Sequence, residues 1–217
     1  MEGRETKDET GGHGPPSVLP LLTDLIFVSI AAYLLVGYAL AFQHPISFLD
    51  VTRETFATVY LLMALAFLAV RSRARRLTTK PVDYLYTIVG FTAPLFFQPT
   101  TYAASQIAGA ILEIGGLALV VGAFLCLNRS FGLAPQNRGV RTAGVYGFVR
   151  HPMYLGYMLA EAGYALDNFS GINIIVLAIS VLFLILRLRA EEQLLVEDPA
   201  YRNYSKEIKW KLLPFIY

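Results

Sequence analysis

A single cysteine occurs among the 217 residues, so no disulfide can close within the chain, and Cys126 lies in an apolar run where it reads as a small buried hydrophobe. Charge is also scarce. Charged residues make up 16% of the sequence and the formal net charge is +2, too little to attract a nucleic acid. The basic residues gather at the ends of apolar segments instead of forming a stripe. No internal repeat or low-complexity tract is present, and no metal site is expected.

Apolar residues are abundant. They form 55% of the chain and come in runs near the length needed to cross about 30 Å of hydrocarbon. The sequence therefore reads as an all-α, polytopic membrane protein with about six transmembrane helices, five if a short one is interfacial. Residues 1–20 mix Glu, Arg, Lys, Asp, Gly and Pro and are expected to be a disordered tail. They do not form a signal peptide, since the run from Leu21 to Phe42 is long enough to remain as an anchor. Residues 21–127 hold spans one to four: 21–42, 56–70, 81–98 and 104–127. Residues 128–217 hold a loop, spans five (153–166) and six (172–188), and a polar tail.

The loop from Arg71 to Lys80 carries five basic and no acidic residues, and the loop from Asn128 to Arg150 carries Arg129, Arg138, Arg141 and Arg150 with no acid. Alternate connections are nearly free of basic residues. The positive-inside rule then places both loops and both termini in the cytosol, and a bacterial inner membrane is expected. Short outer connections make spans three and four, and five and six, tight hairpins. Gly109, Gly115, Gly116, Ala118 and Gly122 in span four read as small residues that let helices approach closely.

Four acids fall where lipid is a poor solvent. Asp24 and Asp83 lie near span ends and suit helix starts. Glu113 and Glu161 lie deep in their spans, where each serves either a functional site or a protonated, hydrogen-bonded structural role. Tyr154, Tyr157, Glu161 and Tyr164 recur at three- and four-residue intervals and share one helical face, which lines a pocket or forms an aromatic packing surface.

The richest stretch is Gly144-Val-Tyr-Gly-Phe-Val-Arg-His-Pro-Met-Tyr-Leu-Gly156. Pro152 marks the start of span five, since proline is favoured in a first helical turn. The free amides there, beside Arg150 and His151, form a natural anion site. A hairpin later comes Arg187-Leu-Arg-Ala-Glu-Glu192, in which Arg187 and Glu191, and Arg189 and Glu192, stand at helical pairing distances. Brought together by the hairpin, an anion site and two carboxylates suit a ligand of both charges, such as S-adenosylmethionine.

The run Arg150-His151-Pro152-Met153-Tyr154-Leu155-Gly156, the later Arg189-Ala190-Glu191-Glu192, and a tail with Tyr201, Tyr204 and Phe215-Ile216-Tyr217 resemble the isoprenylcysteine carboxyl methyltransferases and their phospholipid N-methyltransferase relatives. The resemblance covers residues 128–217, about 40% of the chain. It implies S-adenosylmethionine as cofactor, bordered by Tyr146, Arg150, His151, Tyr154, Gly156, Glu191 and Glu192. It also implies a lipophilic acceptor entering from the bilayer among membrane lipids, with an isoprenylcysteine-like carboxylate the leading choice and a thiol or amine kept open. Arg187 and Arg189 match basic residues near the reacting end. Arg189 is the candidate for orienting an acidic acceptor, and Glu161 is a candidate base if the acceptor must lose a proton. Two other readings remain. Membrane sterol reductases, which use NADPH, share a similar C-terminal half, though the Glu191-Glu192 pair would repel a polyanionic dinucleotide, and a non-enzymatic membrane scaffold would leave the two motifs unexplained.

Overall fold

The structure is a computed structural model that describes residues 18–41, 48–70, 72, 74–127 and 130–214. Residues 1–17 of the tail expected over 1–20, and the terminal Phe215-Ile216-Tyr217, lie outside those residues, while Leu19 and Pro20 of that expected tail already belong to the first helix. The chain is all-α as expected. Its helices are α1 (Leu19–Ala41), α2 (Phe48–Val70), α3 (Pro81–Thr92), α4 (Gln106–Leu127), α5 (Pro152–Asp167), α6 (Gly171–Leu195) and α7 (Pro199–Glu207). Helices stand at all the expected span positions, and α7 lies in the tail. By length and composition, Leu19–Gly37, Gln106–Leu127 and Gly171–Leu195 are each sufficient to cross a membrane.

The others depart from simple spans for local reasons. Helix α2 starts at Phe48, earlier than its apolar run suggested. Helix α3 has 12 residues before Pro94 tightens the chain into a 3-10 turn, Ala93–Phe96. Helix α5 has 16 residues, begins on Pro152 and ends at Asp167, with Asn168 as its C-cap. Helix α6 continues beyond the predicted end at Leu188 to Leu195, so Arg187, Arg189, Glu191 and Glu192 all ride on it.

The outer surface of the bundle is apolar. Ile107, Ile111 and Leu125 of α4 and Ile175 and Leu182 of α6 are each more than half exposed, as suits side chains facing lipid. Inside, Phe27 and Ala31 of α1, Leu61 and Ala64 of α2, and Val120, Ala123 and Phe124 of α4 pack with Phe131 and Leu133 of the following loop.

Both ends of the bundle are tied by hydrogen bonds. At one end Asn173, fully buried, donates from Nδ2 to the carbonyls of Gln98 (2.8 Å) and Asn168 (2.5 Å), and its Oδ1 accepts from the Gln98 amide (2.9 Å). The short connections after α3 and α5 are locked together there. At the other end the two Arg-rich loops meet in a small antiparallel ladder, β1 (Arg76–Leu77) with β2 (Gln136–Asn137). That meeting agrees with their expected position on one side of the membrane. Asn137 Nδ2 donates to Asp198 Oδ2 (2.7 Å), and Asp198 caps α7 by accepting from the Ala200 amide (2.9 Å), which joins the ladder to the tail.

Helices α4 and α5 form the closest pair because glycines meet glycines. A Cβ at Gly116 would lie 2.5 Å from both the Ala160 nitrogen and the Gly156 oxygen, and one at Gly109 would lie 2.9 Å from the Gly163 oxygen. Without a hydrophobic driving force between helices in lipid, such backbone contact is a chief source of association. Gly115 is different, with nothing within 4 Å of its missing Cβ. Gly116→Ala should therefore cost about 1–3 kcal/mol of stability through overpacking against backbone. Gly115→Ala should leave the melting temperature unchanged or slightly raised. Thermal unfolding of the two variants in one detergent tests the pair, and equal melting temperatures would rule out the glycine interface.

Candidate functional site

The 3-10 turn Gly144–Gly147, the start of α5, the end of α6 and α7 converge at the Arg-rich end of the bundle. Gly144 permits the turn. It has φ +62° and a Cβ there would lie 2.5 Å from Cys126 Sγ, so a side chain is excluded both conformationally and by contact. As the motif spacing predicted, the hairpin brings Arg150 and His151 against Glu192.

What they build is a closed network. Glu192 Oε1 accepts from Arg150 Nε (3.1 Å), His151 Nε2 (2.7 Å) and the Tyr201 hydroxyl, and Oε2 accepts from Arg150 Nη2 (2.7 Å). The remaining Arg150 nitrogen, Nη1, donates to the carbonyls of Ser205 and Ile208, each at 3.2 Å. The Arg150 and His151 amides donate to the carbonyls of Trp210 (2.9 Å) and Lys211 (2.8 Å). Both lone-pair faces of Glu192 and most of the Arg150 donors are thus consumed inside the protein. Arg150, His151 and Glu192 are each more than nine-tenths buried.

Beside this network is a cavity lined by Ser130, Gly132, Gln136, Arg138, Gly139 and Arg141 of the loop before α5, by Tyr146, Arg150, His151 and Tyr154, by Arg187 and Glu191 of α6, and by Tyr201 and Tyr204 of α7. Of the residues singled out from sequence, Tyr146, Arg150, His151, Tyr154 and Glu191 lie on its wall; Glu192, Gly156, Arg189 and Glu161 do not. Glu192 is turned into the Arg150 network. Gly156 faces α4, where a Cβ would lie 2.6 Å from Val120 Cγ2 and 2.7 Å from the Gly116 oxygen, so it serves helix packing. Arg189 is exposed, since two residues along a helix rotate a side chain by about 200° away from Arg187. Glu161 lines a second cavity deeper in the bundle.

The intrahelical pairs expected on α6 do not form. Glu191 Oε2 instead accepts from the Tyr154 hydroxyl (2.6 Å). Arg187 is 4% exposed, its Nε is buried with no hydrogen-bond partner, and its guanidinium carbon sits 4.7 Å from the centre of the Phe91 ring and 5.0 Å from that of Tyr154. Among the described residues this buried cation rests on two aromatic faces, and its Nε is left as a donor for an anionic ligand. The anion site expected at the start of α5 is narrower than predicted, because Arg150 and two amides there are occupied by Glu192 and the tail.

Sequence reasoning missed Tyr201 and Tyr204 as site residues. Their signal was the three-residue spacing that turns both to one face of α7. The Tyr204 hydroxyl donates to the Tyr146 carbonyl (2.7 Å) and so closes the tail over the turn. Burial pushes the Tyr204 phenol up to about 12, and burial and then the Glu192 carboxylate raise that of Tyr201. Burial, and then Glu191, also raises Tyr146. All three stay protonated donors at neutral pH. His151 must carry its proton on Nε2 to bond a carboxylate, so that nitrogen cannot act as a base.

Removing one member of a buried ion pair leaves an uncompensated charge. Glu192→Ala should cost about 3–5 kcal/mol and loosen the tail, seen as a lower melting temperature and faster protease cleavage after residue 196. Arg189→Ala should change neither. A Glu192→Ala protein that melts like wild type yet loses cofactor affinity would instead make Glu192 a direct ligand.

Compared with known families, residues 104–202 match the model of the phospholipid methyltransferase family, and the family resemblance read from the two motifs is borne out over those residues. No curated protein and no solved structure matches the chain.

Proposed function

We propose that this protein is an integral membrane methyltransferase that uses S-adenosylmethionine and acts on a lipophilic carboxylate. The family match over residues 104–202 supports methyl transfer at a membrane. The observation that carries the acceptor is Arg187, a buried guanidinium with an unsatisfied donor on the inner wall of the cavity.

The cavity's polar groups match those of the cofactor, and its volume of about 90 Å³ means that the surrounding loop has to move outward to admit a ligand of that size. Glu191 is the one carboxylate on its wall and suits an ammonium or a ribose diol, while Arg138 and Arg141 suit a carboxylate, and Tyr146, Tyr154 and Tyr201 offer aromatic faces to an adenine or a cationic sulfur. When bound, S-adenosylmethionine supplies an electrophilic methyl group: its carbon–sulfur bond breaks as the acceptor oxygen bonds to carbon, and the electron pair returns to sulfur to leave a neutral thioether and an ester. The protein has to hold two partners in line, worth about 7–11 kcal/mol.

Arg187 would orient the acceptor carboxylate, the role for which the family resemblance made Arg189 the candidate. An amine or thiol would first have to lose a proton, and the ready acceptors are spoken for. His151 Nε2 faces Glu192 and the cavity tyrosines remain protonated. A carboxylate acceptor needs no base, which is why it is preferred.

Calorimetric titration of S-adenosylhomocysteine into the detergent-purified protein tests the reading. Wild type should bind, and Glu191→Gln should bind at least about tenfold more weakly, about 1.4 kcal/mol, with an unchanged melting temperature. Arg187→Ala should keep most of that affinity and lose methyl transfer to lipophilic carboxylates. Binding of NADPH without S-adenosylhomocysteine would transfer the site to the reductase class, and binding of neither would leave a scaffold.

A further inference from the structure

The bundle's second cavity, of about 420 Å³, has apolar walls from Phe27, Leu61, Phe91 and Leu184 among others. One layer of side chains separates this chamber from the cofactor cavity. Phe91 lines the inner cavity, Tyr154 the outer one, and Arg187 lies over both rings. Within that layer Arg187 and Glu191 are one turn apart on α6, and both face the outer cavity. Side chains four apart on a helix are neighbours, about 5–6 Å between Cβ atoms, so a buried guanidinium with a spare donor is well placed to take the carboxylate beside it. No ion pair joins them among the described residues.

Tyr154 of α5 engages both charges instead. Its ring centre lies 5.0 Å from the guanidinium carbon, and its hydroxyl donates to Glu191 Oε2 at 2.6 Å. The ring has little freedom to leave. It is buried and clusters with Leu184 and Leu188 of α6 and Leu212 of the tail. The His151 ring stands edge-on to it, 5.5 Å between centres and at 86°, and His151 is itself bonded to Glu192. A direct Arg187–Glu191 pair would satisfy each charge inside the protein and leave neither for a ligand, which is the state that Arg150 and Glu192 have reached next door.

We propose that Tyr154 is a positioning residue that keeps Arg187 and Glu191 from neutralising each other, so that one wall presents a cation to the acceptor and, a turn away, an anion to the cofactor. This rests on the acceptor and cofactor roles given to those two residues above. A phenol suits the task. It meets the cation with a neutral ring face and the anion with a neutral donor, and it competes with a ligand at either point less strongly than an opposite charge would.

The test is calorimetric titration of S-adenosylhomocysteine into full-length protein in lipid nanodiscs. Tyr154→Leu removes ring and hydroxyl, lets Arg187 take Glu191, and should weaken binding at least about tenfold. Tyr154→Phe keeps the ring between the charges and should retain most of the affinity. Adding Arg187→Gln to Tyr154→Leu releases Glu191 and should strengthen binding at least about fivefold over Tyr154→Leu alone, whereas Arg187→Gln by itself should strengthen nothing. Loss of an aromatic contact with the cofactor would weaken Tyr154→Leu as well, but removing Arg187 would not repair it. Thermal unfolding gives a second readout that needs no ligand: the melting-temperature shifts of Arg187→Gln and Glu191→Gln should depart further from additivity in the Tyr154→Leu background than in wild type. Tyr154→Met, which fills more of the vacated space, serves for the same series if Tyr154→Leu does not fold. No repair by Arg187→Gln, or coupling no greater without Tyr154 than with it, would overturn the inference. Failure of S-adenosylhomocysteine to bind wild type would instead strike the cofactor reading, and the melting temperatures would still decide whether Tyr154 holds the charges apart.

Discussion

Everything at the polar end of this bundle depends on the carboxylate of Glu192. It joins the residue pair that opens α5, the last turns of α6 and the first turn of α7. Two charges removed from water repay their desolvation only with near-complete hydrogen bonding, and here both carboxylate oxygens and both sides of the guanidinium are engaged. The network therefore holds the tail down beside the outer cavity. Its energetic cost if broken is large because every member is buried.

A second constraint sets the depth at which chemistry can occur. The glycine contacts Gly109 with Gly163 and Gly116 with Gly156 press α4 against α5 along their length. With those two helices fixed, the face bearing Tyr154, Tyr157, Glu161 and Tyr164 looks toward α3 and α6 and lines both cavities in succession. Arg187 stands where they adjoin. Helix packing that looks purely structural thus determines which side chains line the outer cavity and which line the chamber behind it.

The all-α membrane architecture was legible because hydrophobic run length and charge placement are local properties. So was the pairing of the His151-Pro152 segment with the Glu191-Glu192 segment, since a hairpin of antiparallel helices leaves little choice. What was not legible was the direction each side chain faces. Arg187 and Arg189, or Glu191 and Glu192, are separated by one or two steps of about 100°, and only the surrounding helices decide which of each pair enters the cavity. Gly156 shows the same limit, because its partner Gly116 is 40 residues away in sequence. Tyr201 and Tyr204 lay in a short amphipathic helix whose docking is set by Arg150, a long-range contact that no local pattern announces.

Under the proposed function, the placement of Arg187 accounts for two cavities in one bundle. A cationic donor and an anionic acceptor attract strongly in a medium of low dielectric, and their reaction gives neutral products, so a site shielded from water removes the penalty of stripping hydration at the transition state. Neither partner can cross into the other's solvent: the donor is polar over most of its surface and the acceptor is lipophilic. The only workable geometry is a partition thin enough for the reacting atoms to meet and cationic enough to hold the carboxylate before the donor arrives. A guanidinium between two aromatic faces satisfies both demands, being weakly hydrated, permanently charged and planar. A lysine at the same place would carry a more strongly hydrated charge and draw water into the layer that has to stay dry.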